Sequence, residues 1–376
     1  MKLKKKKVMI FLDRWASGGI ESFIVNLLEN SDSSKYEFTV VTSTKESTLF
    51  DKRIENLNIQ FIVLLKGFSK WYIRPWIMFD KFKKFIKLNT FDVYHFHIYN
   101  AVSLIFPSVV INKSKVIIHS HNADVAHDNT RIIKLLVHKF AKATLLRKKY
   151  QLVAVSNLAG KWMYGNNKFL IINNGIDNKK FEFSESQRLI YREKFQIDQQ
   201  TIVFLNIGRL NEQKNQVLFI RILKMIKKYS KKKLKGVIIG DGPLQSTLVE
   251  EIKNNKLEND ILMLPGRNDI PEMASMSDAF ILPSLYEGLP LVGVEMQSNG
   301  LTSFFSKTVD PAVQITESSF FIDITASEKK IALYIIDHLD INSTEQRKQM
   351  NIKVMKNGYD IKNTAKSILN LYERSE

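Results

Sequence analysis

Short runs of β-branched and aromatic residues alternate along this chain with longer amphipathic stretches, and this alternation limits the fold more than any other feature. Because strands separated by helices pair in parallel, with helices on both faces of the sheet, the pattern predicts an α/β fold of Rossmann-like βαβ units. Helical stretches are predicted at Ile20–Asn30, Arg131–Lys148, Gln213–Lys228 and Lys329–Leu339. The predicted strands are Val8–Asp13, Tyr36–Thr42, Ile59–Leu65, Val93–Phe96, Val116–His119, Leu152–Val155, Phe169–Ile172, Ile202–Ile207, Gly236–Ile239, Ile261–Leu264, Ala279–Leu282 and Thr302–Phe305.

The alternation stops between about residues 177 and 200, where FEFSESQRLIYREKFQIDQQ is polar and has no strand signal. We therefore predict a first domain over residues 1–180, a second over 181–359, and a closing amphipathic helix over 360–376. The 376 residues, 44% of them hydrophobic, are enough for two cores. Ligands of parallel sheets lie outside the carboxyl ends of the strands, so two facing domains would bind a substrate in the cleft between them.

Composition narrows the classes of partner. The chain has no cysteine, which excludes disulfides and thiolate chemistry and fits a reducing cytoplasm. Its formal net charge of +18 attracts anions such as nucleic acid, anionic lipid or a phosphorylated substrate. No apolar run approaches the roughly 20 residues that cross a bilayer. The stretch from Asn129 to Ile176 has no acidic residue, and its cations are Arg131, Lys134, Lys139, Lys142, Arg147, Lys148, Lys149, Lys161 and Lys168.

Two cations follow the apolar run TIVFLNIG. Arg209 comes directly after it, and Lys214, in GRLNEQKN, is predicted to open the next helix. Arginine offers a fork of N–H groups and lysine a mobile point charge, and both suit phosphate oxygens. Because they stand where a parallel strand ends, we interpret them as phosphate ligands rather than as two more solvated cations of a lysine-rich chain.

The segment YEGLPLVGVE supplies two carboxylates on either side of a helix start. Pro290 favours the first helical turn, which leaves Glu287 in the preceding loop. We predict that Glu287 points towards the sugar of a nucleotide sugar and Glu295, in the second turn, towards its ribose. The N–H groups of Leu291 and Val292 would face a diphosphate. The structural alternative is a helix capped by acids.

Gly18 and Gly19 follow the first strand and precede a helix, where glycine lets a phosphate or sugar approach the backbone. The alternative there is a plain strand–helix turn. In HSHN, His121 stands at the carboxyl end of a strand and is predicted to contact a sugar hydroxyl or help stabilise the reacting centre. His119 is predicted to be buried in the strand.

No metal ion is predicted. The chain has no D-x-D triplet through which a metal could hold a nucleotide diphosphate, so Arg209 and Lys214 would supply the charge. His95 and His97 alternate along a strand, but no acid or third histidine stands at ligand spacing, which favours packing. Neither a G-x-x-x-x-G-K-[ST] nor a G-x-S-x-G motif occurs.

The segment Trp71–Leu88 mixes aromatic residues with cations. Such a segment can lie in a membrane interface, and it can equally be a surface helix whose aromatic face joins the core. The acid-free stretch nearby favours the membrane.

These motifs together resemble the family-4 retaining glycosyltransferases of GT-B architecture, of the kind that builds bacterial capsular polysaccharides or exopolysaccharides. GGIE, HSHN, NGID, GRLNEQKN, GDGP, LPG and EGLPLVGVE followed by GLTSFF occur in the family's order over nearly the whole chain. The combination of GRL-x3-KN with E-x7-E is the specific part. The chain departs from the family at Ser306–Asp310, where an acid often follows the serine.

The resemblance implies a role for each matching position. Arg209 and Lys214 would bind the donor diphosphate, Glu287 the hexose and Glu295 the ribose, while His121 would lie by the transferred sugar. The final helix would cross back to the first domain, and the two domains would face each other across a cleft. The predicted catalytic residues are His121, Arg209, Lys214 and Glu287. The predicted donor-binding residues are Gly18, Gly19, Arg209, Lys214, Gly266, Arg267, Glu287, Gly288, Leu289, Leu291, Val292 and Glu295, with Gly266 and Arg267 near the base.

The predicted function is transfer of a hexose or N-acetylhexosamine from a nucleotide sugar, with UDP as the expected nucleotide, to a lipid diphosphate-linked glycan. Retention would proceed by front-face attack, in which the leaving diphosphate helps to deprotonate the acceptor. No cofactor, metal or nucleic acid is expected, and the predicted location is cytoplasmic, on the inner face of the plasma membrane. Two alternatives stay open: a nucleotide-sugar epimerase of the same architecture, and a basic nucleic-acid-binding protein.

Overall fold

The computed structural model describes residues 4–57, 59–65, 74–110, 114–122, 130–146 and 150–374. The chain divides into two compact units, one made of Met1–Gly175 with Ile361–Glu376 and the other of Ile176–Asp360. The first unit is therefore discontinuous in sequence. The sequence-based boundaries were drawn at 180/181 and 359/360, five residues later and one residue earlier than these divisions.

The first unit is a parallel sheet with helices. Its strands among the described residues are β1 (Lys6–Trp15), β2 (Tyr36–Lys45), β3 (Gln60–Val63), β4 (Val93–Ile98), β5 (Lys115–Ser120), β6 (Gln151–Ala154) and β7 (Leu170–Ile171). Its helices before the division are α1 (Gly19–Glu29), α2 (Asp51–Glu55), α3 (Arg74–Leu88), α4 (Arg131–Leu145) and α5 (Asn157–Tyr164).

The second unit repeats this architecture. Its strands are β8 (Ile202–Ile207), β9 (Leu234–Ile239), β10 (Ile261–Leu264), β11 (Ala279–Leu282), β12 (Thr302–Ser306) and β13 (Ser319–Ile322). Its helices are α6 (Glu185–Lys194), α7 (Gln216–Tyr229), α8 (Gln245–Asn254), α9 (Ile270–Met276), α10 (Leu291–Ser298), α11 (Glu328–His338) and α12 (Thr344–Val354). The chain then returns to the first unit as α13 (Ile361–Glu373).

Both sheets are doubly wound. The first has the order β3-β2-β1-β4-β5-β6-β7 and the second β10-β9-β8-β11-β12-β13, and every paired strand is parallel to its neighbour. The order reverses between β1 and β4 in the first sheet and between β8 and β11 in the second. Such reversal points, at the carboxyl ends of the strands, are where α/β sheets bind ligands. The predicted α/β fold is thus confirmed.

Burial explains why the strands read as continuous apolar runs. In the second unit Phe204, Ile238, Ile281 and Phe304, one from each of four neighbouring strands, are at most 1% exposed and pack with α7, α8 and α11 in one core. A sheet covered on both faces selects apolar side chains at consecutive positions instead of alternate ones. β13 is a strand that the sequence analysis does not predict.

The closing helix is joined to the first unit by specific bonds. The main-chain oxygen of Tyr372 accepts a hydrogen bond from Lys6 Nζ at 2.9 Å, and the Tyr372 hydroxyl lies 2.7 Å from His95 Nδ1 on β4. At the start of the helix, Thr364 Oγ1 donates to the carbonyl of Asn173 at 3.0 Å. The predicted return of this helix to the first domain is confirmed.

A buried ion network connects α6 to β11 in the second unit. Asp278 accepts from Arg188 Nη2 and Arg192 Nη2, each at 2.7 Å, and from the backbone N–H of Val203 at 2.8 Å. Arg192 is fully buried. The polar segment without a strand signal, at about residues 177–200, therefore contains a helix, α6, that is joined to the sheet by ion pairs.

The aromatic segment over residues 71–88 lies partly outside the described residues, which begin again at Arg74. In the described part of α3, Phe82 is fully buried and its ring centroid lies 4.8 Å from that of Phe11 and 5.3 Å from that of Phe106. Lys83 and Lys84 on the same helix are exposed. In this part the structure favours the core-facing alternative over the membrane-facing one. Among the described residues, no helix is both long and apolar enough to cross a bilayer.

Candidate functional site

In the second unit, the predicted phosphate ligands lie at the point where the strand order reverses. β8 ends at Ile207, and Gly208 and Arg209 follow it directly. The Arg209 side chain is exposed, while its carbonyl accepts a hydrogen bond from Gln216 Nε2 at 3.1 Å. This contact fixes the backbone of the loop and leaves the guanidinium at the carboxyl edge of the sheet.

Lys214 does not open α7, contrary to the prediction. It ends a short 3-10 turn over Glu212–Lys214, which Asn211 caps by accepting from the Lys214 N–H at 3.2 Å. Asn215 then takes a left-handed conformation, with φ 53° and ψ 44°, and α7 begins at Gln216. Asparagine tolerates this conformation better than most residues, so the final residue of GRLNEQKN has a backbone role.

Lys214 and Glu287 form an ion pair, with Nζ 2.6 Å from Oε1 and both side chains less than a fifth exposed. The two loops that bring them together are hydrogen-bonded to each other. The Leu285 N–H donates to the Gln213 carbonyl at 2.8 Å, and Gln213 Nε2 donates to the Tyr286 carbonyl at 3.1 Å. Asn215 Nδ2 donates to the carbonyl of Pro283, at the start of the same loop, at 3.1 Å. The cation and the acid, 73 residues apart, are thus parts of one built site.

The loop that carries Glu287 is also supported from the other side. The carbonyl of Ser284 accepts hydrogen bonds from the hydroxyls of Ser306 and Thr308, the latter at 2.9 Å. The backbone of Glu287 forms an isolated parallel bridge with Val309. The segment Ser306–Asp310, where this chain departs from the family pattern, therefore holds the Glu287 loop through hydroxyls.

Helix α10 begins directly after that loop, as Pro290 predicted. Pro290 is the N-cap, so the N–H groups of Leu291 and Val292 occupy the first turn, where intrahelical acceptors are lacking. Glu295 lies half-buried in the second turn. Gly288 and Leu289 are buried in the approach to the helix.

Two glycines let the Arg209 loop approach the next strand. A Cβ on Gly240, which has φ 153°, would lie 2.0 Å from the carbonyl oxygen of Gly208. A Cβ on Gly242 would lie 2.3 Å from the carbonyl oxygen of Leu210. Only glycine permits such close approach. The two glycines of the GDGP motif therefore pack against the loop that presents Arg209, a role that the sequence analysis does not predict.

Gly266 and Arg267 follow β10, at the edge of the second sheet. The Gly266 N–H donates to Asp241 Oδ2 at 3.1 Å. Arg267 forms a two-pronged ion pair with Asp269, which also accepts from the Tyr191 hydroxyl at 2.8 Å. The Arg267 hydrogen bonds hold the pKa of Asp269 at about 2, so this pair is charged at neutral pH.

In the first unit, the Gly18-Gly19 loop encloses a buried acid. Gly18 is the N-cap of α1, and Glu21 Oε1 accepts from the Ala16 N–H at 2.7 Å. A Cβ on Gly18 would lie 2.8 Å from Glu21 Oε2. Glu21 is 5% exposed, and burial raises its pKa. The glutamate of GGIE thus hydrogen-bonds to the backbone of this loop, and its carboxylate lies against Gly18.

His121 is buried, as is His119. His121 Nε2 lies 2.8 Å from His97 Nδ1, and His121 Nδ1 lies 3.5 Å from the side-chain amide of Asn174. Burial lowers the pKa of His121 to about 3, so its imidazole is neutral at physiological pH. His121 is therefore one member of a group and not a lone residue facing solvent.

The group comprises four histidines on adjacent strands. His95, His97 and His119 each offer a ring nitrogen within 4.8 Å of the others. The sequence argument that no third histidine stands at ligand spacing is thus wrong in three dimensions, because His119 lies beside His97 in the register of β4 and β5. The meeting of these histidines depends on β4 and β5 being neighbours in the sheet, which the spacing within either strand does not show.

Each half of the chain matches a family model. Residues 17–180 match the model described as Glycosyltransferase Family 4, and residues 187–356 match Glycosyl transferases group 1.

Several known proteins are similar to this chain in sequence or in structure. The chain is 25% identical over 390 residues to EpsF of Bacillus subtilis (strain 168), a candidate glycosyltransferase, covering 100% of this chain and 98% of EpsF. It is 28% identical over 232 residues to the UDP-Gal:alpha-D-GlcNAc-diphosphoundecaprenol alpha-1,3-galactosyltransferase of Escherichia coli, covering 59% of each. Among solved structures, Anabaena Alr3699/HepE in complex with UDP-glucose has a TM-score of 0.77 at 16% identity over 97% of this chain and 98% of that one. At 16% identity, the similarity to HepE shows the fold alone.

Proposed function

Because the chain belongs to the family-4 glycosyltransferases, we propose that it transfers a hexose or N-acetylhexosamine from a nucleotide sugar to a lipid diphosphate-linked glycan in cell-surface polysaccharide synthesis. The observation that carries this proposal is the Lys214–Glu287 ion pair at the reversal point of the second sheet, where Arg209 directly follows β8. The acceptor class is suggested by the Escherichia coli relative, whose name specifies a diphosphoundecaprenol-linked sugar. That name also specifies UDP, the nucleotide we propose here.

The chemistry follows from the charges. As the bond from the sugar to the diphosphate breaks, negative charge grows on the leaving phosphate, and groups aimed at that charge stabilise the transition state. The Lys214 ammonium has three N–H donors, of which the Glu287 contact uses one, so two can bind phosphate oxygens. Arg209 adds a planar fork of donors, and the first-turn N–H groups of α10 add the partial positive charge of a helix N-terminus.

The remaining donor contacts are assigned by position. The Glu287 carboxylate has a second oxygen that can accept from a hexose hydroxyl, and Glu295 on α10 would accept from the ribose. Gly266 and Arg267 would border the base. We propose that Arg209 and Lys214 replace a metal at the diphosphate. The acceptor hydroxyl would attack the sugar from the face that the diphosphate leaves, so the anomeric configuration is retained, and the leaving phosphate would take the proton of that hydroxyl.

Nucleotide binding is the direct test of this proposal. We expect one nucleotide among UDP, GDP, ADP and CMP, with its sugar adducts, to raise the melting temperature of the protein, because a ligand that binds only the folded state stabilises it. The rise should disappear in Arg209→Ala and persist in Arg221→Ala, a cation of α7 that pairs with Glu251 on the surface. Thermal shift by dye fluorescence measures both. Equal shifts in wild type and Arg209→Ala would contradict the site.

The epimerase alternative makes a different prediction for the same donor. An epimerase would convert the sugar of the nucleotide sugar with no acceptor present. A transferase would leave the donor unchanged until a lipid diphosphate-linked sugar is added, and would then release the free nucleotide. Chromatography of the nucleotide fraction with and without acceptor separates the two functions.

A lipid-linked acceptor requires the enzyme to work at a membrane, and α4 offers a surface for that. Ile132 and Phe140 are 74% and 71% exposed, and Ile133, Leu136 and Val137 are exposed beside them. These positions repeat every three to four residues and form one stripe of the helix. The sequence of α4 has no acid, and its cations are Arg131, Lys134, Lys139 and Lys142.

We propose that this apolar stripe inserts into the headgroup region of an anionic bilayer on the inner face of the plasma membrane, with the flanking cations at the phosphates. The opposite side of α4 packs on its own unit, where His138 Nδ1 accepts from the Ala101 N–H at 3.1 Å. The helix is thus fixed to the protein by one side and presents the apolar side outward.

Vesicle flotation tests the membrane surface. We expect the wild type to float with phosphatidylglycerol-containing vesicles at low salt, and a triple Ile132→Ser, Leu136→Ser, Phe140→Ser variant to lose roughly tenfold or more in partition coefficient, because three apolar side chains no longer enter the lipid. Val249→Ser, which removes an exposed apolar residue of α8, is the matched control and should float normally. If the triple variant floats as well as the control, α4 is not the contact.

A further inference from the structure

Four histidines project from one face of the first sheet. His95 and His97 alternate along β4, so both point the same way, and register places His119 of β5 beside His97. His121 continues the same face two residues beyond His119. All four are at most 5% exposed. Phe23 of α1 covers the group, with its ring centroid 5.6 to 5.8 Å from those of His97, His119 and His121.

The inner ring nitrogens of this group have no partner among the described residues. His95 Nε2, His97 Nε2 and both nitrogens of His119 are buried without a hydrogen bond. A neutral imidazole needs one acceptor for its N–H and one donor for its lone pair, and leaving these needs unmet in the interior is unfavourable. Four such nitrogens in one place therefore call for a group that binds several of them at once.

The outer nitrogens, by contrast, are held. His95 Nδ1 lies 2.7 Å from the Tyr372 hydroxyl, and His97 Nδ1 lies 2.8 Å from His121 Nε2. His95 and His97 thus have the arrangement of metal-binding histidines, in which one nitrogen binds the ion and the other donates its proton to a neighbouring group. His119 has neither nitrogen hydrogen-bonded. A metal ligand must be a neutral imidazole, whose unprotonated nitrogen supplies the lone pair.

We propose that His95, His97 and His119 bind one divalent transition-metal ion inside the first unit, and that this ion is Zn²⁺. Three neutral imidazoles with no carboxylate or thiolate suit zinc and exclude magnesium and calcium, which take oxygen ligands. Three histidines leave the fourth position of a tetrahedral set for water. This site is distinct from the donor diphosphate, for which the charge comes from Arg209 and Lys214.

Zinc binding requires a small contraction of the cluster. Ligand nitrogens of a tetrahedral zinc lie about 3.3 Å apart, since each Zn–N bond is about 2.0–2.1 Å, whereas these nitrogens spread over distances of up to 4.8 Å. The three side chains project from one face of the sheet, and the proposal requires rotations about their side-chain bonds that bring the nitrogens to this distance.

The ion would also set the protons of His121. With the metal on Nε2, His97 carries its proton on Nδ1 and donates to His121 Nε2, which places the His121 proton on Nδ1. That proton then needs an acceptor. Asn174 Oδ1 is buried and accepts no hydrogen bond from the described residues. An Asn174 amide turned so that Oδ1 faces His121 Nδ1 satisfies both groups.

Metal content of the untagged full-length protein tests the site directly. We expect about one zinc per chain after equilibration with ZnCl₂ and gel filtration, and a rise in melting temperature of about 2 °C or more with zinc. Cobalt(II) should give the visible absorption bands of a tetrahedral complex, and X-ray absorption at the zinc edge should show nitrogen neighbours with imidazole scattering. A wild type without bound zinc and without cobalt bands would overturn the proposal.

Variants separate this cluster from adventitious surface binding. His119→Phe keeps a flat buried ring and should lose the zinc, the cobalt bands and the zinc-dependent rise in melting temperature. His338→Gln, which removes a histidine of α11 in the second unit, should keep all three. Equal zinc in His119→Phe and wild type would refute the assignment, and this comparison needs no transfer activity. If His119→Phe does not fold, the absorption spectra of the wild type still decide.

Discussion

Replacing Arg209 by alanine is expected to lower kcat/KM for sugar transfer by about 30-fold to 5,000-fold, which corresponds to roughly 2–5 kcal/mol of lost transition-state stabilisation. The guanidinium stands at the carboxyl end of β8, where the strand order reverses, and nothing in the Lys214–Glu287 pair can replace its fork of donors. With the donor bound, the charge that grows on the leaving phosphate would have fewer hydrogen-bond donors in the variant. The measurement is the initial rate of transfer to a lipid diphosphate-linked acceptor.

Two further variants make this prediction specific. Arg209→Lys keeps the charge and loses the fork, so its rate should lie between those of alanine and arginine. Arg221→Ala removes an arginine that pairs with Glu251 at the surface and should leave kcat/KM unchanged. A normal rate for Arg209→Ala in a protein with unaltered circular dichroism would mean that Arg209 does not bind the donor.

Replacing Asp278 by alanine is expected to lower the free energy of unfolding of the second unit by about 3–5 kcal/mol, because it leaves buried cations without their counter-charge. Asp278 accepts from Arg188, from the fully buried Arg192, and from the backbone N–H of Val203. Burial already lowers the pKa of the Arg192 guanidinium. Urea unfolding followed by circular dichroism measures the change.

The matched comparison is a surface pair of the same unit. Lys233 and Asp198 approach to 3.4 Å with side chains 80% and 50% exposed, and Lys233→Ala should leave the free energy of unfolding nearly unchanged, because solvent screens an exposed pair. Asp278→Asn should fall closer to alanine than to the wild type, since it keeps an acceptor for Val203 but no charge. Equal stabilities of Asp278→Ala and Lys233→Ala would show that the network contributes only as much as an exposed pair.

Local pattern was sufficient for the architecture. Apolar runs such as Ile202–Ile207 and Ala279–Leu282 became strands with the predicted bounds, because a sheet covered on both faces selects consecutive apolar residues. The start of α10 after Pro290 was likewise predictable, since proline suits a helix start. These features depend on residues close together in sequence, where spacing and conformational preference carry the information.

The sequence by itself determined two α/β units, the positions of Arg209 and Glu287 after their strands, and the return of the last helix. Only the tertiary structure decided which distant side chains meet. It paired Lys214 with Glu287, placed His119 beside His97, and turned the aromatic residue Phe82 of α3 into the core while leaving the apolar stripe of α4 exposed. The physical reason is that pairing and burial depend on strand order and on which helix face meets the sheet, and neither is written in the spacing of a single segment.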